Sequence, residues 1–433
     1  MRFFMKKFFF SAIFAWATLS LVAARLDMMP SEFRTYKVGE TVTFIATAWE
    51  SKDKKLAAGT CAVTLKENGG RIIRKDIMLD FARNNPATFT VSLDRPGFIF
   101  AEAGICNLPD GKKVKWNVKP LPPNGGAAVE PEKIKTMTAV PADFDEFWAK
   151  GVKEFEKAEV IITPADDIER SGYKVSRVLV KFPDNSGAID GFLSVPSNPG
   201  KYPAIIGVPG AGPGTTGPVP YLASSIKAVQ LWMNVHTFRT EKNIILQRKH
   251  YAQYNKSFKS GAYFRENADN RDKYLYRNVW LAVSRAADYV AKMPEFNGKM
   301  AAVGNSQGGG TAIVMAYLNK NVTIAAASVP ALADHDGWKD KRQAGWPQLH
   351  KVSNGKADKA YAYFDVAVFA SRVNVPVLVS VGFVDSTCAP SSVYSAYNAL
   401  AGEKEIFHMY RNSHSISAES KDRIAAFIGR HLK

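Results

Sequence analysis

Cysteine is scarce in this chain, with three residues in 433. Three cysteines are too few for a scaffold built on disulfides. Cys61 and Cys106 both lie in the N-terminal region and could form a disulfide in an oxidising compartment. Cys388 would then have no cysteine to pair with. The core must therefore come from apolar side chains, and these make up 46% of the residues, enough for a full core.

The sequence also lacks the short motifs that bind metals and nucleotides. It has no H-E-x-x-H, no Walker A loop and no paired C-x-x-C, so we expect no metal and no cofactor. The run 212–217 matches G-x-G-x-x-G by its letters. However, prolines flank or interrupt it, and no acidic residue follows about 20 residues on to hold a ribose. A dinucleotide-binding fold is therefore not predicted.

A long basic run is absent as well, although the net charge is +17. The 57 lysines and arginines are scattered, and no nucleic-acid motif accompanies them. Such a distribution is typical of a basic, solvated surface. We therefore predict no nucleic-acid partner.

The first 24 residues have the pattern of an export signal. Basic residues precede an apolar stretch over 8–22, and small residues end that stretch at 22–24. The stretch is short for a membrane span and no stop-transfer cluster follows it, so cleavage after Ala24 is favoured over a membrane anchor. We expect a periplasmic or secreted protein with no membrane contact after cleavage.

Three regions follow this leader. Residues 26–119 hold six or seven short strand-like runs separated by glycine turns, which predicts a small all-β, immunoglobulin-like sandwich. Residues 120–140 open with a run rich in proline and glycine, which is typical of a linker. Strands and helices alternate through 141–433, so we predict a mostly parallel sheet with helices on both faces. Two segments rich in aromatic residues, 238–272 and 331–365, interrupt this alternation.

A G-x-S-x-G motif at 304–308 organises the second half of the chain. An apolar run at 300–303 precedes it and a helical run from Thr311 follows it. A serine on so sharp a strand-to-helix turn stands clear of the sheet, as a nucleophile does, although such a serine can also merely cap the helix. We predict Ser306 as the nucleophile and the N–H of Gln307 as an oxyanion donor.

A serine nucleophile needs a base, and the base needs a carboxylate that orients it. In the expected chain order the acid follows a late strand and the histidine follows the last one. Asp385 follows the apolar run 375–381, and His414 follows the run 405–410. We predict these two as acid and base rather than as ordinary loop residues. The weaker candidates for the acid are Asp334, Asp336 and Asp365.

A second oxyanion donor is expected in the loop that follows the apolar strand 204–208. This loop, which runs from Pro209 to Gly214, includes three glycines, and glycine lets the backbone approach a substrate oxygen. The N–H of Ala211 is the predicted donor, with that of Gly212 as the alternative.

Residues 141–433 resemble the acetyl xylan esterase / cephalosporin C deacetylase family, carbohydrate esterase family 7. The stretches that carry the resemblance are 143–148, 304–310, 377–388, 396–398 and 402–406. The resemblance implies an α/β-hydrolase fold, hydrolysis of short acyl esters, and a triad of Ser306, Asp385 and His414.

Three positions depart from the family's pattern. The chain has Pro209-Gly210-Ala211 where the family has His-Gly-Tyr, His236-Thr237-Phe238 where it has Arg-Gly-Gln, and Ser415 where it has glutamate. The N-terminal sandwich also lies outside the family's single-domain plan. We therefore do not assume the family's hexamer, and a homo-oligomer stays open.

The resulting hypothesis is a serine carboxylesterase that removes acetyl groups from carbohydrates such as xylan or xylo-oligosaccharides. Two alternatives remain at this point. One is a serine peptidase or longer-chain esterase on the same fold, because triad geometry does not choose the acyl group. The other is a glycan-binding protein without catalysis.

Overall fold

The computed structural model describes residues 24–119, 122–219, 226–352 and 360–432. The predicted export signal therefore lies outside the described residues, apart from Ala24. Within the described ranges, no helix is long and apolar enough to cross a membrane.

The N-terminal region is built from strands. Its strands are β1 (Arg25–Pro30), β2 (Thr35–Tyr36), β3 (Val42–Trp49), β4 (Thr60–Glu67), β5 (Arg71–Asp80), β6 (Ala87–Val91), β7 (Gly97–Asn107), β8 (Lys113–Val114) and β9 (Gly125–Val129).

These strands form two sheets with a shared core. One sheet has the order β1-β3-β6, and the other has the order β2-β9-β7-β4-β5 with β8 on β7. Side chains alternate along each strand, so β3 buries Phe44 toward the other sheet, where it meets Val63 and Ile99 in one cluster. The predicted all-β sandwich is confirmed. Cys61 and Cys106 are cross-strand partners in β4 and β7, and both are buried free thiols.

The interval 120–140, predicted as a linker, contributes strand β9 to the sandwich. All five residues of β9 are buried, and the strand pairs with both β7 and β2. Its glycines serve close packing rather than flexibility, because a Cβ on Gly125 would lie 2.9 Å from the ring of Phe44. The composition of the interval was therefore misleading.

The second region alternates strands and helices. Its helices are α1 (Phe144–Phe155), α2 (Ile244–Lys256), α3 (Leu275–Ala291), α4 (Gln307–Leu318), α5 (Val366–Ala370), α6 (Pro390–Ala399) and α7 (Ala418–Leu432). Its strands are β10 (Val160–Pro164), β11 (Tyr173–Lys181), β12 (Ala188–Pro196), β13 (Tyr202–Gly207), β14 (Val229–Met233), β15 (Phe296–Asn305), β16 (Ile324–Ser328), β17 (Val377–Gly382) and β18 (Lys404–Met409).

The strands of this region make one twisted layer in the order β10-β11-β12-β14-β13-β15-β16-β17-β18. The first four strands of that order pair antiparallel, and the pairs from β14 to β18 are parallel. Both faces of the sheet are covered: Ile206 packs in the cluster that holds α3 and α4, whereas Ile205 packs against Phe427 and Ile428 of α7. The predicted α/β-hydrolase fold is confirmed.

The parallel strands end at one edge of the sheet, where loops from different strands meet. The two aromatic-rich insertions also meet there, since the rings of Phe264 and Trp346 lie 4.6 Å apart. This edge carries the candidate site.

Candidate active site

Ser306 occupies the turn between β15 and α4 with a φ of 56° and a ψ of −122°, a region that residues with a side chain rarely adopt. The turn is possible because its neighbours are glycines. A Cβ on Gly304 would lie 2.4 Å from the Gly308 backbone, and one on Gly308 would lie 2.2 Å from the Val208 carbonyl oxygen. The strained turn places the hydroxyl of Ser306 at the carboxyl edge of the sheet.

The structure brings Ser306, His414 and Asp385 into one hydrogen-bonded chain. His414 Nε2 lies 2.8 Å from Ser306 Oγ, and His414 Nδ1 lies 2.7 Å from Asp385 Oδ2. A carboxylate only accepts, so Nδ1 carries the proton and Nε2 is free to accept one from the serine hydroxyl. The three side chains thus have the geometry of a nucleophile, a base and an orienting acid.

Asp385 is buried in the loop after β17, and its charge is balanced by hydrogen bonds. The backbone N–H groups of Thr387 and Cys388 donate to Oδ1 at 2.8 and 2.9 Å, while Oδ2 faces His414. Burial without such partners would be costly for a carboxylate. The two amides also fix which oxygen points at the histidine.

The two amides predicted for oxyanion stabilisation belong to Gln307, which follows Ser306 directly, and to Ala211 in the loop after β13. Gln307 is the first residue of α4, so its N–H has no partner within that helix. The loop after β13 passes beside the serine, because a Cβ on Gly210 would lie 3.7 Å from Ser306 Cβ. Ala211 is the next residue and is exposed. Both predicted donors therefore belong to segments that adjoin the nucleophile, and their role stays a prediction.

Comparison with known proteins assigns the family. The sequence profile of acetyl xylan esterases matches residues 130–431. The chain belongs to the acetyl xylan esterase family. It is therefore a carboxylic ester hydrolase.

Among curated proteins, the chain is 29% identical over 353 residues to the acetyl esterase Axe7A of Xylanibacter ruminicola, covering 79% of this chain and 76% of that one. Two solved structures share the fold at a TM-score of 0.58. Acetyl xylan esterase 1 of Thermoanaerobacterium sp. JW/SL YS485 is 20% identical, with coverage of 70% of this chain and 98% of its own. The acetyl xylan esterase of Paenibacillus sp. R4 is 22% identical, with coverage of 70% and 99%.

In this esterase the side chain of Gln307 connects the turn that holds Ser306 to its surroundings. Gln307 Nε2 donates to the carbonyl of Pro209 at 3.1 Å, and Oε1 accepts from the hydroxyls of Tyr263 and Tyr276 at 2.6 and 2.5 Å. The side chain thereby holds the loop after β13 against the start of α4. Sequence analysis selected Gln307 only for its backbone amide and missed both tyrosines, which reach it from an insertion and from α3.

Two of the positions expected to depart from the family's pattern, His236 and Ser415, have defined partners in the structure. His236 is buried, stacks on Phe238 at 5.0 Å and contacts the ring edges of Tyr251, Tyr254 and Tyr263. Burial lowers the pKa of His236 to about 3, so it adds no charge near neutral pH. Ser415 accepts a hydrogen bond from Asn412 at 3.2 Å in the histidine loop.

The weaker acid candidates lie in a separate buried network. Asp334 pairs with Arg342 at 2.6 Å and accepts from the Met137 amide at 2.8 Å. Asp336 accepts from Tyr361 at 2.5 Å, and Asp365 accepts from the backbone amide of Asp334 at 2.9 Å. These carboxylates hold the second insertion in place.

Proposed function

We propose that this esterase removes acetyl and other short acyl groups from carbohydrates with Ser306, His414 and Asp385 as a catalytic triad. The observation that supports this most directly is the unbroken hydrogen-bonded chain from Ser306 Oγ through the imidazole to the buried carboxylate. The family assignment supports the reaction class.

In the first half-reaction, His414 Nε2 takes the proton of Ser306 Oγ while Oγ bonds to the ester carbonyl carbon. The carbonyl oxygen becomes an oxyanion, which the N–H groups of Gln307 and Ala211 stabilise. Asp385 stabilises the imidazolium that results. The bond from the carbonyl carbon to the sugar oxygen then breaks, and the imidazolium returns its proton to that oxygen.

In the second half-reaction, water replaces the sugar. His414 Nε2 deprotonates the water as it attacks the acetyl carbon on Ser306, and the same two amides hold the second oxyanion. Collapse releases acetate, and the proton returns to Ser306 Oγ. Both halves use the same groups and require no further reagent.

The proposed substrates are acetylated xylan and acetylated xylo-oligosaccharides. The curated relative is described as an acetyl esterase and the structural relatives as acetyl xylan esterases. The predicted signal at residues 1–24 supports export to the periplasm or beyond, where such polymers would be met.

The test compares wild type and Ser306→Ala on an activated acetate ester and on acetylated xylan. We expect the variant to lose kcat by a factor of about 10³ or more, because the acyl-enzyme cannot form. Ser371→Ala is the matched control, since the Ser371 hydroxyl bonds only to neighbours at the end of α5: it donates to the Val368 carbonyl and accepts from Arg372.

A fluorophosphonate should label the wild type and should not label Ser306→Ala. A wild type that releases acetate no faster than Ser306→Ala would contradict the proposal. A panel of acetyl, butyryl and longer esters beside aminoacyl substrates defines the acyl preference.

A further inference from the structure

The sandwich packs directly on the loop that carries Asp385. Strand β9 crosses this loop so closely that a Cβ on Gly126 would lie 2.4 Å from the Phe383 carbonyl oxygen. Only glycine fits there, so the contact is between one backbone and the other. Phe383 lies two residues before Asp385.

A sandwich side chain also enters the hydrolase core. Phe98 of β7 is 1% exposed and packs edge-on to Phe383, with ring centroids 5.3 Å apart, and against Tyr394 of α6 at 5.5 Å. Phe98 and Ala128 belong to the buried cluster of the hydrolase, not to that of the sandwich. The acid loop therefore rests on apolar side chains that the first domain supplies.

A polar connection reaches the other side of the same loop. The backbone N–H of Gln343 donates to the Asn68 carbonyl of the sandwich at 3.0 Å, and its side-chain Nε2 donates to the Ser386 carbonyl at 2.7 Å. Ser386 follows Asp385 directly. The loop is thus held before and after its carboxylate.

The histidine loop is held in the same way. Arg411 donates to Asp27 of β1 at 2.8 Å, and the rings of Tyr410 and Phe33 lie 5.1 Å apart. The acid and histidine loops are also joined, because the Val384 N–H donates to the Asn412 carbonyl at 3.2 Å.

We propose that the β-sandwich is a positioning domain of the active site, which holds the Asp385 and His414 loops at the distance that catalysis requires. This inference rests on the proposed triad. The residues involved are positioning residues, since they act through Asp385 and His414. A misplacement of about 1 Å in a catalytic group can cost about a hundredfold in rate, so rigid support of these two loops has a large effect.

The test uses two variants of the full chain, Phe98→Ala and Gln343→Met. The first removes the apolar support, and the second keeps the volume of the side chain but cannot donate to Ser386. Phe89→Ala is the matched control, because Phe89 stacks on Phe44 at 5.2 Å inside the sandwich core.

We expect kcat to fall about ten- to a hundredfold in Phe98→Ala, by a smaller factor in Gln343→Met, and not at all in Phe89→Ala, with KM little changed. The acidic limb of the kcat/KM profile should move to lower pH in the two test variants. The physical reason is that a less well-placed Asp385 stabilises the imidazolium less. Phe98→Leu should recover most of the loss.

A direct readout separates this inference from the proposed reaction. The proton between His414 Nδ1 and Asp385 Oδ2 is expected to give a strongly deshielded NMR signal. This signal should shift or vanish in Phe98→Ala and persist in Phe89→Ala whatever the substrate. Unchanged kcat, pH profile and NMR signal in both test variants would overturn the positioning role while leaving the esterase proposal intact. Should Phe98→Ala fail to fold, Gln343→Met decides, because Gln343 is only partly buried and keeps its backbone bond to Asn68.

Discussion

At the residue scale, the orientation of the Asp385 carboxylate determines which ring nitrogen of His414 carries the proton. Two backbone amides occupy Oδ1, which leaves Oδ2 for the Nδ1–H of the imidazole. In the proposed reaction, His414 can accept a proton from Ser306 only while this tautomer is kept. The tautomer therefore depends on both the charge and the fixed rotamer of one buried side chain.

Asp385→Asn should lower kcat by about 10⁴-fold while preserving the fold. The amide oxygen of asparagine would take the place of Oδ1, and its NH₂ group would face His414 Nδ1 and force the proton onto Nε2. The measurement is kcat on an activated acetate ester beside a urea denaturation curve. Asp76→Asn, on the exposed surface of the sandwich, is the control. A near wild-type kcat in Asp385→Asn would refute the assignment of Asp385 as the acid.

Gln307→Met should reduce both activity and stability. The change removes three hydrogen bonds and leaves the buried hydroxyls of Tyr263 and Tyr276 without their acceptor, which costs about 1–3 kcal/mol in unfolding free energy. The loop after β13 also loses its hydrogen bond to α4, so kcat should fall about tenfold.

Gln230→Met offers the comparison for that variant. Gln230 is also buried and accepts from Arg170 at 2.9 Å, but it lies on β14 and not at the turn that holds Ser306. It should lose stability without losing kcat. Equal kcat in Gln307→Met and wild type would show that the loop needs no such hydrogen bond.

At the element scale, the segment that follows β14 forms an aromatic cluster. His236 lies at its centre, faced by Phe238, Tyr251, Tyr254 and Tyr263. No charged partner is among these rings, so desolvation dominates and favours the neutral imidazole. The cluster is therefore expected to be sensitive to acid.

His236→Phe should flatten the dependence of stability on pH. The pKa of His236 is about 3 in the folded protein against an ordinary 6.5, so the unfolded chain binds a proton that the folded chain does not between these values. Above pH 6.5 the ring is neutral in both states, and the free energy of unfolding has its full value. As the pH falls toward 3, protonation of the unfolded chain lowers the free energy of unfolding. Denaturation curves from pH 7 to 4 should show a smaller slope for the variant, and parallel slopes would contradict this.

The sequence predicts some elements far better than others. The apolar runs at β13, β15 and β17 lie at the centre of the sheet, and burial on both faces made them recognisable. Helix α2 buries only Gln247 and therefore has no apolar stripe, so it was not predicted. The composition around β9 predicts a linker, because its glycines serve contacts that only the folded chain reveals.

The residues of the candidate site also differ in how well the sequence predicts them. Ser306, Asp385 and His414 follow from a local motif and from the order of strands along the chain, both of which are visible in sequence. The hydrogen bonds from Tyr263 and Tyr276 to Gln307 span 44 and 31 residues, and no local pattern indicates them. Their detection required the packed structure.

At the scale of the whole molecule, the reactivity of the three cysteine thiols reports both their burial and the compartment from which the protein is recovered. All three thiols are buried, and burial raises the pKa of each, to about 11 at Cys106. The native reduced protein should therefore react slowly with an aromatic disulfide reagent. In denaturant three thiols should react.

Rapid labelling of the native protein would contradict this burial. A single reactive thiol in denaturant, for protein recovered from an oxidising compartment, would show that Cys61 and Cys106 had paired across β4 and β7. That outcome would support the proposed export.

The entry of Phe98 and Ala128 into the hydrolase cluster has a thermodynamic consequence. Neither half of the chain can melt without opening apolar surface on the other, so heat should unfold both in a single cooperative transition. Calorimetry of the full chain is expected to give one endotherm, with the loss of esterase activity following the same curve.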